Sequence, residues 1–440
     1  MILKILCIIA LVPVLYPLRY LFKKQDINLF DLIILFHTLN FVISPFRYGY
    51  KLNLDDGIVF NEFIYYFSFI ITILALSLFW HKNNANKINL VNITKYIAQY
   101  KEVKVNFIGK ALLVIAIIVS LVFYLPRATY ILHVEEQGVE IDYQTKAAVA
   151  IWGAVWNFLG IIFSMSLILS YKYKKLDKVN IVLALAYFIM LIFFPRRVFL
   201  LGILFLFVVQ YSIYREAITK KIVGILAGFC IAFYLIYFPF YNVMRSSNFM
   251  FDVNHPIESL YEIVSNAVDN WSYRDTDESA AGATSNRSLG LYTALYDLIK
   301  NNPNPKLGEL TYQAVDVALP KVINPNKGDG PEPILEEMTK RYLDQADSFL
   351  LHAYGEFHYW GFIFAAVLYC FLFSLYNVYL NFWQKVMHVN IVPFYISFLM
   401  ISLVWNVEGG VNGNISWFFA SFLTLVVMYL IEHFKIIELK

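Results

Sequence analysis

The chain has 440 residues, of which 59% are hydrophobic and only 15% are charged, whereas soluble domains carry roughly 25% charged residues. This composition excludes a soluble globular enzyme, a disordered chain and a fibrous protein, and it predicts a polytopic membrane protein. The net charge of +3 is too small to indicate nucleic-acid binding. Cys7, Cys230 and Cys370 all lie inside apolar runs, so neither a disulfide framework nor a metal cluster is indicated.

Membrane-spanning helices are predicted wherever about 20 mostly apolar residues follow one another. Eleven runs meet this description approximately: 1–18, 28–48, 58–80, 107–126, 147–171, 179–194, 198–214, 222–241, 356–380, 389–407 and 414–432. The first run is interpreted as a retained helix, because no small-residue cleavage site of a signal peptide follows it. We therefore predict an all-α polytopic membrane protein with about 11 transmembrane helices, eight in residues 1–241 and three in residues 356–440.

Basic residues are concentrated in alternate loops between these runs. The rich loops contain Arg19, Lys23, Lys24, Lys82, Lys87, Lys95, Lys101, Lys104, Lys110, Lys172, Lys174, Lys175, Lys178, Arg215, Lys220, Lys221, Lys385, Lys435 and Lys440. The other set contains only Lys4, Arg47, Lys51, Arg127, Lys146, Arg196 and Arg197. The positive-inside rule places the first set in the cytoplasm, so the N-terminus is expected outside and the C-terminus inside.

The segment 242–355 differs from the rest of the chain. It contains no spanning run and holds half of the 14 prolines. Apolar spacing predicts helices in 257–272, 288–301 and 334–348, whereas the small and polar residues of 279–290 predict a loop. By parity of the spans this segment lies outside, and we expect a helical external module on the membrane surface.

Four arginines are predicted at the same outer face. Arg196 and Arg197 follow Pro195 in a turn between two spans, Arg245 lies just beyond span 222–241, and Arg127 ends span 107–126. Guanidinium groups suit phosphate oxygens, so these arginines are candidates for binding a diphosphate. The alternative is that they anchor helix ends among lipid headgroups.

The end of the external module carries a candidate acid–base pair. If residues 347–358 are helical, His352 and Glu356 stand four residues apart and share one face. Either side chain could serve as a general base, with the other as its orienting partner. The alternative is an interfacial helix start whose polar residues face headgroups.

Other sequence signals are weaker. Asp55 and Asp56 in the first external loop are adjacent acids, which occur in some metal-dependent glycosyltransferases but also in ordinary turns. No phosphate loop, dinucleotide-binding glycine pattern or His-Glu-x-x-His motif is present, so we expect no metal or other cofactor and no nucleotide chemistry within this chain.

The chain resembles the Wzy-type O-antigen and capsule polymerases of bacterial envelopes. The resemblance covers the whole topology and rests locally on Phe194-Pro195-Arg196-Arg197, on Arg245, and on Tyr354-Gly355-Glu356-Phe357 with Gly361. Arg127 and Gly138 match an arginine–glycine spacing found in external loops of some members.

The resemblance implies a reaction at the outer face of the bacterial inner membrane. A growing glycan would move from undecaprenyl diphosphate to a sugar hydroxyl of the next lipid-linked repeat unit. The four arginines would bind the diphosphate, and Glu356 or His352 would be the base. The implied partners are membrane lipids and, in the same pathway, a chain-length regulator and a flippase. The rival functions are an O-antigen ligase with the same donor, a glycosyltransferase using Asp55 and Asp56, and a lipid-linked oligosaccharide flippase or transporter.

Overall fold

The computed structural model describes residues 2–22, 28–43, 45–46, 54–82, 100–120, 122, 143–173, 177–190, 228, 255, 258, 261–262, 265, 280–320, 323–340, 348–407 and 409–440. These residues are mostly helical. The chain forms two compact units, one of Met1–Asn92, Ala281–Asn381 and Leu399–Phe419, the other of Ile93–Ala280, Phe382–Phe398 and Ala420–Lys440.

The elements follow in chain order. They are α1 (Ile2–Ala10), α2 (Leu15–Phe22), α3 (Leu29–Thr38), α4 (Asp56–Lys82), β1 (Val103–Val105), α5 (Phe107–Val119), α6 (Tyr143–Tyr173), α7 (Lys178–Met190), α8 (Ala280–Asn301), α9 (Glu309–Ala318), α10 (Glu332–Thr339), α11 (Phe349–Phe357), α12 (Gly361–Asn381), α13 (Val392–Trp405), α14 (Val411–His433) and β2 (Ile437–Leu439). A short 3-10 helix joins α1 to α2, and short π-helical segments extend α3 and α12.

In the first unit, α1–α2 and α4 run parallel to each other, and α3 runs antiparallel to both. Leu6 packs against Val59 near the start of α4, and the ring of Tyr16 lies 6.2 Å from that of His81 near its end. The start of α3 lies near the end of α4, as the hydrogen bond from Asn28 to Ser77 Oγ at 3.1 Å shows, so α3 runs antiparallel to α4. A capping box between Asn28 and Asp31 begins α3 and satisfies its first backbone N–H groups. These contacts fit the alternation of the first three predicted spans.

In the second unit, α5, α6 and α7 pack together beside a two-stranded antiparallel sheet. Val103 pairs with Leu439 and Val105 with Ile437, so the chain end is joined to the segment before α5. Asn106 caps α5 by accepting from Gly109 N at 2.6 Å. Gly109 has no room for a side chain, because a Cβ there would lie 2.7 Å from Ile436 O.

Four stretches of described helix are long and apolar enough to cross a membrane: Ile2–Arg19, Asp56–His81, Phe349–Val386 and Val411–His433. Shorter apolar helices cover Leu29–Ile43, Phe107–Val119, Val155–Ser170, Lys178–Ile189 and Val392–Trp405. The helical membrane fold is thus as predicted for the described part of the chain. The predicted span 198–214 lies outside the described residues, and only residue 228 of the predicted span 222–241 is described.

The structure differs from the sequence prediction in two details of secondary structure. An all-α chain was predicted, but the structure contains a short sheet. Strand β1 precedes α5, strand β2 follows α14, and the two strands satisfy each other's backbone hydrogen bonds. The predicted loop 279–290 is helical from Ala280, because α8 continues through its alanines from the buried turns at 291–299.

Candidate functional site

Within the apolar stretch Phe349–Val386, helices α11 and α12 form a tight hairpin. The rings of Phe349 and Tyr369 lie 4.6 Å apart, although a straight helix would separate residues 20 positions apart by about 30 Å. The chain reverses at His358, whose φ of 50° is left-handed. A Cβ on Gly361 would lie 2.1 Å from Ala353 O, so this close approach requires glycine.

Because of the hairpin, α11 is packed among the membrane helices of the first unit. All its residues from Phe349 to Glu356 are buried. The Tyr65 hydroxyl of α4 donates to Leu350 O at 3.0 Å, and the Tyr65 and Tyr354 rings meet edge to face at 5.1 Å. The predicted boundary between the external module and the last three spans, at residues 355 and 356, therefore falls inside a buried helix. The apolar residues of 349–355 prefer this packing to an exposed surface.

The Glu356 carboxylate accepts hydrogen bonds from the start of α9. Oε2 accepts from Gly308 N, and Oε1 accepts from Thr311 N at 2.6 Å and from Thr311 Oγ1 at 2.8 Å. Gly308 is the N-cap residue of α9, and it has no side chain that could accept hydrogen bonds from the first backbone N–H groups of the helix. A carboxylate at a helix N-terminus also interacts favourably with the helix dipole. Glu356 thus caps a helix 45 residues away and ties it to α11.

His352 belongs to the same network. Its Nε2 lies 3.0 Å from Thr311 Oγ1 and 3.8 Å from Glu356 Oε1. Since the threonine hydroxyl uses its proton on Glu356, Nε2 is the donor to the hydroxyl oxygen. Both side chains are 0% exposed. The shared helix face predicted for His352 and Glu356 is present, and the pair binds the N-terminus of α9. The role of either residue as a general base stays a prediction.

Three further hydrogen bonds fix the module to the tip of the hairpin. Backbone N–H groups of Lys306 and Leu307 donate to Gly355 O and Glu356 O at 3.0 and 3.2 Å. His358 Nε2 lies 2.5 Å from Pro303 O. The chain that enters α9 is therefore bound at Pro303, Lys306 and Leu307 to the end of α11 and the turn after it.

The arginines predicted to bind a diphosphate, Arg127, Arg196, Arg197 and Arg245, lie outside the described residues. Of the acids flagged in the first external loop, Asp55 accepts from Gly57 N at 2.8 Å and from Ile58 N at 3.1 Å, which makes it the cap of α4. No cluster of three or more histidines, cysteines or acids suited to a metal ion occurs among the residues that the structure describes.

Sequence reasoning missed a buried acid in α4. Glu62 is 2% exposed, and neither of its carboxylate oxygens makes a hydrogen bond of normal geometry. The nearby Tyr292 hydroxyl of α8 interacts with it electrostatically. The two residues line a small cavity of about 20 Å³ together with Cys7 of α1. The sequence contained the signal, since Glu62 is a lone acid inside the apolar run 58–80.

No protein-family model matches the chain, and no curated protein and no solved structure matches it either.

Proposed function

We propose that this protein is an oligosaccharide repeat-unit polymerase that uses an undecaprenyl-diphosphate-linked donor at the outer face of the bacterial inner membrane. The observation that carries the proposal is the attachment of a mainly polar helical segment, residues 302–340, to a helical hairpin within the membrane helices. A glycan attached to a lipid must be held where the membrane meets water. A module fixed at the tip of such a hairpin suits that task.

The proposal includes eleven spans with the N-terminus outside and the C-terminus in the cytoplasm. Contacts between lysine-rich segments support it. Lys110 Nζ lies 2.7 Å from Asp177 Oδ2, and β1 pairs with β2 at the C-terminus. The Glu432 carboxylate accepts from Asn390 N and Ile391 N at 2.7 and 3.0 Å. Each contact joins two segments that the charge pattern assigns to the cytoplasmic face.

The parts of the reaction are distributed as follows. Arg196, Arg197 and Arg245, with Arg127, bind the diphosphate and stabilise the negative charge that develops as it leaves. His352, Thr311 and Glu356 act as positioning residues, because their polar atoms are turned towards one another inside the protein. The acceptor sugar lies against the module, and the polyprenyl chains lie along the apolar helix surfaces. The chemistry uses neither a nucleotide nor a metal ion.

The test uses purified protein in detergent with a synthetic undecaprenyl-diphosphate repeat unit, EDTA and no nucleotide. We expect a ladder of polymers on a gel. Arg197→Ala should abolish the ladder while the protein remains folded, whereas the matched change Arg19→Ala, at the proposed cytoplasmic end of α2, should leave the ladder intact. A ladder that is the same for Arg197→Ala and the wild type would remove the arginines from the site.

The neighbouring functions differ in their products. An O-antigen ligase would form no ladder but would transfer the glycan to lipid A core when that acceptor is added. A lipid-linked oligosaccharide transporter is the second candidate, and the buried acid Glu62 in α4 favours it, since ionisable groups inside membrane helices often serve transport. Translocation of a fluorescent lipid-linked sugar in vesicles, without any glycosyl transfer, would establish that function instead.

A further inference from the structure

Among the described residues, Glu62 faces no basic side chain, and only the Tyr292 hydroxyl favours its charged form. It is surrounded on α1 by Leu6 and Cys7, on its own helix by Val59 and Tyr66, and on α8 by Tyr292 and Asp297. Asp297 is an acid and repels a carboxylate. No lysine or arginine lines the cavity, as far as the described residues show. Burying a carboxyl group whose oxygens make no hydrogen bond of normal geometry costs stability, and such a group points to a functional role.

The position of Glu62 relates it to the external module. It lies six residues after Asp56, about 9 Å along the helix axis from the start of α4. The module helix α8 is docked at that end, since Asp55 N donates to the Tyr296 hydroxyl at 2.8 Å and Tyr296 packs with Leu6 and Val59. The acid therefore lies just inside the bundle, directly under a helix of the module. In the proposed orientation, this end of α4 lies at the outer face of the membrane, where the diphosphate of a lipid-linked sugar lies at the headgroup level.

The cavity suits a hydroxyl group. Its volume of about 20 Å³ is enough for one water-sized group. The carboxylate of Glu62 can accept a proton there, and the Tyr292 hydroxyl can donate a hydrogen bond. Burial, together with the charge of Glu62, raises the pKa of Tyr292, so that this hydroxyl keeps its proton at neutral pH. One acceptor and one donor thus face the same small space.

We propose that Glu62 is the base that accepts the proton of the acceptor sugar hydroxyl, bound in this cavity beside Tyr292. The inference rests on the proposed polymerase function. In the step, the acceptor oxygen forms a bond to the anomeric carbon of the donor and gives its proton to the Glu62 carboxylate. The bond between that carbon and the diphosphate oxygen breaks, and the undecaprenyl diphosphate leaves with the electron pair. Glu62 then releases the proton to solvent, and no oxidant or reductant is needed.

The experiment measures initial polymerisation rates against pH for the wild type, Glu62→Gln, Glu62→Asp and Thr72→Val. Thr72 lies in the same helix, and its hydroxyl donates to Ser68 O at 2.8 Å, so its change controls for alterations in α4 away from the cavity. We expect the wild-type rate to rise with pH as Glu62 loses its proton. Glu62→Gln should lower kcat by about 100-fold or more, with little change in the KM for the donor, and should remove the pH dependence. Thr72→Val should behave like the wild type.

Glu62→Asp keeps the carboxyl group but shortens the side chain by one methylene, so the carboxyl group lies farther from the cavity. We expect a folded protein with a rate reduced about tenfold and a rate that still rises with pH. This variant decides the question if Glu62→Gln does not fold. Wild-type rates and an unchanged pH profile in a folded Glu62→Gln or Glu62→Asp protein would overturn the inference and leave the polymerase function intact. A wild-type protein that makes no polymer at any pH would instead overturn the proposed function.

Discussion

Thr311 donates both its backbone N–H and its hydroxyl to one carboxylate oxygen of Glu356, at 2.6 and 2.8 Å. The two residues belong to different helices, α9 and α11; Glu356 is fully buried and Thr311 is partly buried. The contact replaces an ordinary N-terminal cap with a carboxylate supplied from the membrane hairpin. Loss of this carboxylate should therefore release α9 without breaking any local turn.

Glu356→Gln is expected to destabilise the attachment of α9 by about 2 kcal/mol, because a charged acceptor is replaced and an amide NH₂ faces N–H donors. A lower thermal unfolding temperature in detergent and faster proteolysis between residues 302 and 340 would show this. Glu309→Gln is the control, since Glu309 is half exposed and lies 3.5 Å from Lys306; its contribution should be under about 1 kcal/mol. Equal stability of the two variants would contradict the capping role.

Gly361→Ala tests the hairpin. Its new Cβ would overlap Ala353 O, so α11 and α12 must separate, at a cost of about 3 kcal/mol. Gly413→Ala is the matched control, because nothing lies within 4 Å of a Cβ at this position in α14. Alanine there should stabilise the helix by about 0.5–1 kcal/mol. Unfolding temperatures of the two variants should move in opposite directions, and a neutral Gly361→Ala would be inconsistent with the tight turn.

The sequence predicted the positions of the long apolar helices that the structure describes, because about 20 apolar residues in a row have few alternatives in a membrane. It did not predict α9, which is short and only partly apolar. It also predicted that His352 and Glu356 share a face, since a spacing of four follows from helix geometry alone. The partner Thr311 could not be predicted, because the contact joins segments more than 40 residues apart in sequence. The reversal at His358 was not predicted, because both arms of the hairpin are apolar.

The missed site at Glu62 has a different cause. A single acid in an apolar run gives no indication of what faces it, and its neighbour Tyr292 belongs to a segment predicted to lie outside the membrane. Only the docking of α8 at the end of α4 brings the two together. The roles assigned to Arg127, Arg196, Arg197 and Arg245 remain predictions.

The ion pair between Lys110 and Asp177 predicts an acid-sensitive contact between α5 and α7. Burial raises the pKa of Asp177, but hydrogen bonds from Lys110, Asn180 and Val179 outweigh this effect and leave the pKa below the ordinary value. A lowered pKa in the folded protein means that the stabilisation is present above the unfolded value near 3.8 and is lost as the pH falls through the folded pKa.

Asp177→Asn should therefore remove this acid-dependent part of the stability. Because Asp177 is about a third exposed, solvent screening limits the loss at neutral pH to about 0.5–1 kcal/mol, and high salt should shrink it further. Unfolding temperatures measured from pH 6 to pH 3 should converge for the variant and the wild type at low pH. A constant difference across this range would exclude the ion pair as its source.

Membrane orientation can be tested by cysteine labelling in a background that lacks Cys7, Cys230 and Cys370. Asn304, Lys104 and Lys440 are exposed in the structure, so a cysteine at each position would be accessible on its own side of the membrane. In intact cells, a membrane-impermeant maleimide should modify Asn304→Cys at once, but Lys104→Cys and Lys440→Cys only after lysis. The last two positions must behave alike, because β1 pairs with β2. The opposite pattern would invert the topology and place the module in the cytoplasm, where no lipid-linked glycan is polymerised in the proposed reaction.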